Sequence, residues 1–238
     1  MKMIYKSESK KFVCIASYDE RMIAKNARFR WDPGQKQWWT DDPTKAITLL
    51  EYADETALPI LKQADETRQE SIQASTALDA NLDIPVPPGL SYFPFQKAGI
   101  QYAVQRKNTL IADDMGVGKT VEAIGVINYL DLKKVLVVCP ASLKINWYRE
   151  LTKWLVQART VGIINGNKFF DADIVIINYD ILVKYQKKLE SFDWDLIIVD
   201  EAHYVKNYKA FRSKALYSIA KKASRKIYMT GTPIVNRP

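Results

Sequence analysis

Cysteine and histidine are nearly missing from this chain of 238 residues, which has two of the first, Cys14 and Cys139, and one of the second, His203. Both cysteines fall in apolar, strand-like runs. They make neither a metal-ligand spacing nor a disulfide framework, and they point to a reducing compartment. No apolar stretch is long enough to span a bilayer, and the opening Met1-Lys-Met-Ile-Tyr-Lys6 has no apolar signal core. The expectation is a soluble protein with no membrane partner, cytoplasmic or, in a eukaryote, nuclear. Acid is scarce outside the middle. Residues 41–90 carry 3 Lys/Arg against 10 Asp/Glu, whereas residues 1–40 carry 9 against 4 and residues 91–238 carry 23 against 13. The net charge of +8 and the isoelectric point near 9.2 favour a polyanionic partner.

The length allows one large domain or two smaller ones. Residues 1–50 read as a small α+β module, with a strand at Lys11–Ala16 and a short helix within Asp19–Ala27. Phe29–Trp31 and Gln37–Thr40 flank the turn residues Asp32-Pro-Gly-Gln35, which suggests a hairpin. Phe29, Trp31, Trp38 and Trp39 are mixed there with Lys25, Arg28, Arg30 and Lys36. Aromatics among cations suit stacking on unpaired bases with phosphate contacts. The same tryptophans also suit the core of a tiny domain, and both hold if opposite strand faces divide the work. Residues 51–89 read as an acidic helical connector stiffened by Leu82-Asp-Ile-Pro-Val-Pro-Pro-Gly89. Residues 90–238 then alternate. Apolar runs at 110–112, 135–139, 161–164, 174–177, 196–199 and 227–229 are separated by helical patterns, clearest at 146–155, 181–189 and 211–220. Buried β-runs alternating with amphipathic helices predict a parallel sheet covered on both faces, with ligands at the carboxyl ends of its strands.

One such end is Thr109-Leu-Ile-Ala-Asp-Asp-Met-Gly-Val-Gly-Lys-Thr-Val121. A strand breaks into a glycine-containing loop and resumes as a helix with Val121, Ile124, Ile127 and Leu130 on one face. The loop residues Met115, Gly116, Val117 and Gly118 offer backbone N–H groups to a phosphate, Lys119 offers a charge to the β- and γ-phosphates, and Thr120 offers a hydroxyl to Mg²⁺. The helix start adds its own positive end. The pattern departs from the strict form at Asp113, where a glycine belongs.

The corroborating segment is Leu196-Ile-Ile-Val-Asp-Glu-Ala-His203, an apolar strand that delivers Asp200 and Glu201 at its carboxyl end. In one sheet with the loop, Asp200 is placed to hold Mg²⁺ and Glu201 to orient or deprotonate the attacking water. Lys119, Asp200 and Glu201 are therefore the candidate catalytic set, with Thr120 and Asp200 as metal ligands.

Asp113-Asp-Met-Gly-Val-Gly-Lys-Thr120 together with Asp-Glu-Ala-His203 resembles the Swi/Snf-type ATPases, DNA translocases of helicase superfamily two. Further blocks follow in the family's order. Tyr92-Phe-Pro-Phe-Gln96 resembles the upstream motif whose glutamine reads adenine. Val138–Trp147, with Ser142 and Lys144, resembles a block facing the DNA backbone, and Asn178-Tyr179-Asp180 sits where a second strand-contact motif belongs. Val205-Lys-Asn207 is an extension of the family type, and Thr230-Gly-Thr232-Pro-Ile-Val-Asn236 resembles the motif coupling hydrolysis to movement. His203, after the acid pair, is then given a coupling role. The resemblance implies a RecA-like lobe over residues 90–238, with ATP and Mg²⁺ as ligands and duplex DNA as partner. It also implies a second RecA-like lobe after Pro238, whose arginine finger is worth about 10³–10⁵ in turnover in related enzymes. This chain alone is expected to bind ATP weakly and hydrolyse it poorly. Trp31-Asp-Pro33 and Lys36-Gln-Trp-Trp39 loosely resemble the accessory domains of fork-remodelling, strand-annealing members, which implies single-stranded or branched DNA for the N-terminal module. The alternatives are a one-lobe regulatory module completed by a partner chain, and a metabolite kinase, for which no acceptor-pocket residues stand out.

Overall fold

The computed structural model describes residues 1–114, 116–166 and 168–231. It contains two compact units, residues 1–76 and 77–238.

In the first unit, β1 (Lys2–Lys6), β2 (Lys11–Ile15), β3 (Arg30–Asp32) and β4 (Gln37–Thr40) form an antiparallel sheet of order β1-β2-β4-β3. Helix α1 (Arg21–Asn26) lies between β2 and β3 in sequence; α2 (Pro43–Ala46), a 3₁₀ turn (Ile47–Tyr52) and α3 (Leu58–Ser75) follow β4. The β3–β4 hairpin forms at the expected turn, where Asp32 Oδ1 accepts from the amides of Gly34 and Gln35. Strand β1 was not among the expected elements; Met3 is its one fully buried residue, beside exposed Lys2 and half-buried Ile4, Tyr5 and Lys6. The core gathers Met3, Phe12, Cys14, Ala24, Phe29, Ala46, Leu49, Ala57 and Leu61. Leu61 belongs to α3, so this helix completes the first unit's core and does not stand apart as a connector.

The tryptophans are not sorted into core and surface by sheet face: Trp31 is the cross-strand partner of Trp38, their ring centroids 5.3 Å apart. Trp38 packs on the core, whereas Trp31 is 47% exposed and Trp39 carries the Lys11 ammonium 3.8 Å from its ring centroid.

The second unit begins before the expected boundary. Ile84 and Tyr92 are buried in its core, and Asn128 donates from Nδ2 to the carbonyl of Trp154 (2.7 Å) and to the Tyr92 hydroxyl (3.2 Å). The proline-rich stretch is thereby fastened to the lobe it precedes.

Six parallel strands, β5 (Asn108–Ile111), β6 (Val135–Cys139), β7 (Val161–Ile163), β8 (Ile174–Asn178), β9 (Leu196–Val199) and β10 (Arg225–Met229), run in the order β5-β10-β9-β6-β8-β7. Successive residues of β6 and β9 are all buried but enter different clusters. Val135, Val137, Leu196 and Ile198 join Ile100, Ile124, Ile127, Trp147 and Leu151; Leu136, Val138, Ile197 and Val199 join Leu182, Leu189, Leu216 and Ile219. Helices α4 (Pro94–Val104), α5 (Lys119–Leu130) and α6 (Lys144–Trp154) therefore cover one face, and α7 (Tyr179–Glu190) and α8 (Phe211–Ala220) the other. Helix α5 is not one-sided: every residue from Glu122 to Asn128 is buried, because α4 and α6 both pack against it. No described helix is long and apolar enough to cross a membrane.

Because Leu61 fills the first unit's core, Leu61→Ala should cost roughly 2–5 kcal/mol in urea unfolding of that unit. A 1–76 fragment should unfold cooperatively, while a 1–50 fragment lacking Ala57 and Leu61 should not; equal behaviour of the two fragments would contradict this assignment.

Candidate functional site

Register brings the two key segments together. Tyr228 of β10 pairs with Leu110 on one side and Val199 on the other, so β5 and β9, two strands apart, end within one residue of the same level. At the usual interstrand spacing that is about 10 Å. The loop ending in Lys119 and the acids Asp200 and Glu201 thus share one rim.

The loop is shaped by two glycines in the left-handed region, Gly116 (φ 86°) and Gly118 (φ 96°). A Cβ at Gly118 would also lie 2.5 Å from Gln96 Nε2, so both conformation and close approach require glycine. Around Gly116 nothing beyond its chain neighbours would lie within 4 Å of an added Cβ, so there the conformation alone favours glycine. Lys119 Nζ donates to the carbonyls of Asp113 and Asp114, each at 2.8 Å, which holds its charge over the loop. Thr120 is half-buried in the first turn of α5. Met115 lies outside the described residues.

Gln96, 4% exposed, is used by the protein itself. Its Oε1 accepts from the Phe93 amide at 3.0 Å, and its Nε2 donates to the Val117 carbonyl at 3.1 Å. One N–H and one oxygen lone pair remain, the complement of an adenine edge. Gln96 is therefore first a strut between α4 and the loop.

Asp200, 7% exposed, closes β9. Its Oδ2 accepts from the Trp147 indole at 2.8 Å, its Oδ1 accepts from the Glu201 amide at 2.9 Å, and the Tyr179 hydroxyl donates to its main-chain carbonyl. Burial raises the Asp200 carboxyl above its ordinary value, opposed by the Trp147 and Glu201 hydrogen bonds and by the charge of Lys119. Glu201 is held in the left-handed region (φ 51°, ψ 55°), a strained backbone for a residue with a Cβ. Its Oε2 and His203 Nδ1 are 3.2 Å apart, yet both atoms are buried and neither has a hydrogen-bond partner of acceptable geometry. His203 packs on Tyr204, and Tyr204 stacks on Tyr179 with centroids 5.2 Å apart.

The donors fit Mg²⁺. A hydroxyl and a carboxylate are hard oxygen ligands, and no described cluster of three or more His, Cys, Asp or Glu competes as an all-protein metal cage. Two such ligands beside a phosphate cradle are what Mg²⁺ bound through a nucleotide needs.

The residues expected to contact DNA are less uniform. Ser142 is exposed in a 3₁₀ turn (Ala141–Leu143). Lys144 Nζ is instead committed to Asn165 Oδ1 (2.7 Å), Asn178 Oδ1 (3.1 Å) and the Ile164 carbonyl (3.2 Å). Tyr179 is 2% exposed, and its hydroxyl donates to the Asp200 carbonyl and not outward. Thr230 is buried at the end of β10, its amide bonded to the Ile111 carbonyl. Thr232 lies outside the described residues.

Glu122 went unnoticed in the sequence. It is fully buried in the first turn of α5, faces Gly99 of α4, and neither carboxylate oxygen has a partner. Burial, then the charge of Asp113, pushes its carboxyl up to about 8, with Lys119 opposing. A glutamate inside the apolar run Val121–Leu130 was the available signal.

The SNF2-related domain model matches residues 95–238. The chain is 36% identical over 154 residues to the Bos taurus SWI/SNF-related matrix-associated actin-dependent regulator of chromatin subfamily A-like protein 1, covering 62% of this chain and 16% of that protein. It is 35% identical over 157 residues to the Homo sapiens DNA annealing helicase and endonuclease ZRANB3, covering 61% and 15%. An alignment with the Drosophila melanogaster subfamily A-like protein 1, at 28% identity, covers 94% of this chain and so reaches into the first unit. The solved Sulfolobus solfataricus SWI2/SNF2 ATPase core in complex with dsDNA superposes with a TM-score of 0.57 at 29% identity, over 67% of this chain and 35% of that one. The chain spans about a sixth of the length of the first two relatives.

Glu122 sets a pH dependence. The folded carboxyl keeps its proton up to about pH 8 whereas an unburied glutamate ionises near 4.5, so stability should fall as pH rises through that window. Glu122→Gln should flatten the decline, by on the order of 5 °C in melting temperature between pH 5 and pH 8; parallel profiles for the two proteins would contradict the assignment.

Proposed function

The chain belongs to the SNF2-related family, and from that premise we propose that it is the ATP-binding motor lobe of a DNA-dependent ATPase, converting ATP to ADP and phosphate while it translocates on or remodels duplex DNA. The observation that carries the reading is the convergence, at one rim of one sheet, of the Lys119 loop with Asp200 and Glu201.

On this reading Gly116, Val117 and Gly118 turn their amides to the phosphates, with the start of α5 adding its positive end. Lys119 exchanges the Asp113 and Asp114 carbonyls for the β- and γ-phosphate oxygens. Met115 completes the loop, and Gln96 offers its remaining donor and acceptor to adenine. Thr120 and Asp200 hold Mg²⁺, which when bound neutralises charge developing on the phosphates. Glu201 orients the attacking water and takes its proton, with His203 Nδ1 3.2 Å from its Oε2. His203, Thr230 and Thr232 relay the state of this rim, and Ser142 and Lys144 lie in the block assigned to the DNA backbone. Duplex DNA as partner draws support from the Sulfolobus ATPase core, which was solved in complex with dsDNA.

A second RecA-like lobe, in cis or in trans, completes the motor in this proposal. The first unit would hold single-stranded or branched DNA. Its concave patch of Tyr18, Arg21, Met22, Lys25, Trp31 and Trp38 pairs exposed rings with cations, and the Arg21 guanidinium lies 3.5 Å from the Tyr18 ring centroid. Two buried, unpaired cysteines suit a reducing compartment, cytoplasmic or nuclear.

The test is nucleotide binding and phosphate release by this chain and by Lys119→Ala, with and without duplex DNA. The wild-type chain should bind a fluorescent ATP analogue in the presence of Mg²⁺, and Lys119→Ala should lose at least about tenfold in affinity, the scale of one charge-assisted phosphate contact. Turnover by this chain should be slow and should rise when a second lobe is supplied. Equal binding by the two proteins would overturn the nucleotide reading. Turnover that never responds to DNA in any assembly would favour a one-lobe regulatory module.

A further inference from the structure

Asp200 is held from three directions, and two of the donors come from distant parts of the chain. The indole N–H of Trp147, on α6, bonds Oδ2; the Tyr179 hydroxyl, from the first residue of α7, bonds the main-chain carbonyl; and the Glu201 amide bonds Oδ1. Trp147 is 1% exposed, so water is no alternative partner for its N–H. Both helices follow directly on strand ends at the rim. Helix α6 comes after the 3₁₀ turn that carries Ser142, and α7 after Asn178. Lys144 ties those two ends together through Asn178 Oδ1 and Asn165 Oδ1.

We propose that Trp147 is a positioning residue for Asp200, fixing the plane of the metal-binding carboxylate from the helix behind it. This rests on the reading that Asp200 holds the metal. A carboxylate on a short side chain turns easily, because its terminal torsion has broad minima. With one oxygen on the Glu201 amide and the other on the Trp147 indole, that rotation is stopped. Each oxygen still keeps a lone pair for a metal-bound water. Loss of the indole N–H would free the Oδ2 side and leave a buried acceptor unsatisfied, and hydrogen bonds behind a metal ligand of this kind are worth about 10–100-fold in metal affinity or activity. The orientation of the acid then depends on where α6 sits, and α6 begins in the block that carries Ser142 and Lys144.

The experiment measures binding of a fluorescent ATP analogue to the full chain across a Mg²⁺ titration, for wild type, Trp147→Phe and Lys119→Ala. Trp147→Phe keeps an aromatic ring and removes the N–H. It should raise the Mg²⁺ concentration for half-maximal tightening about tenfold, the low end of that range, while affinity without Mg²⁺ stays within about twofold. A Trp that merely fills space would lower both affinities together; that result, or an unchanged Mg²⁺ midpoint, overturns the proposal. Wild-type protein supplies a second readout that needs no folded variant. The assigned indole N–H resonance of Trp147 should move when Mg²⁺ joins bound ATP, and a resonance indifferent to the metal overturns the inference. If Lys119→Ala binds as tightly as wild type, the nucleotide reading itself fails; if only Trp147→Phe behaves as wild type, the positioning role alone fails.

Discussion

Parallel pairing of β10 with both β5 and β9 is the constraint on which the site depends. Neither flanking strand touches the other, yet each takes its register from the same neighbour. The shared register ends both strands within one residue of each other, so the glycine-containing loop after β5 and the acids after β9 emerge at the same rim. The side chains that enforce this are ordinary. Ile111, Ile198, Ile227 and Met229 are buried for apolar reasons, and the chemistry sits in the residues that follow them.

The loop is also braced from outside the sheet. Helix α4 lies on α5 through two close approaches, where Gly99 leaves space for Glu122 and Gly125 leaves space for Ile100. That closeness lets Gln96 reach the Val117 carbonyl. A buried carboxyl with no hydrogen-bond partner is a poor core residue, and Glu122 sits in the first turn of α5, directly after the loop that ends at Lys119. Glu201, on the other side of the rim, is held in a left-handed backbone with its Oε2 3.2 Å from His203 Nδ1.

The first unit solves a different problem. Its four short strands have one buried layer, and α3 is drawn in to complete it. Trp38 contributes to that layer while Trp31 and Trp39 remain available at the surface, beside Arg21, Lys25, Lys11 and Arg30. Trp31 and Trp38 are cross-strand partners on one face of the sheet, whereas Trp39, the next residue of β4, faces the other way.

The sequence alone determined the parallel sheet, all six of its strands to within a few residues, the glycine-containing loop after β5 and the acid pair after β9, because buried strands and loop glycines are local signals read within a dozen residues. It did not reveal that Leu61 belongs to the first core, that Ile84 belongs to the second, or that β1 is a strand. Nor did it assign Lys144 to Asn165 and Asn178, Tyr179 to the Asp200 carbonyl, or Trp147 to the Asp200 carboxylate. Those pairings join residues about 20 to 53 positions apart. A long side chain near a strand end looks the same in sequence whether it reaches water, a ligand or a neighbouring loop. Only the packing of helices on the sheet decides which oxygen it meets, because hydrogen bonding acts over about 3 Å and nothing in the order of residues encodes that distance.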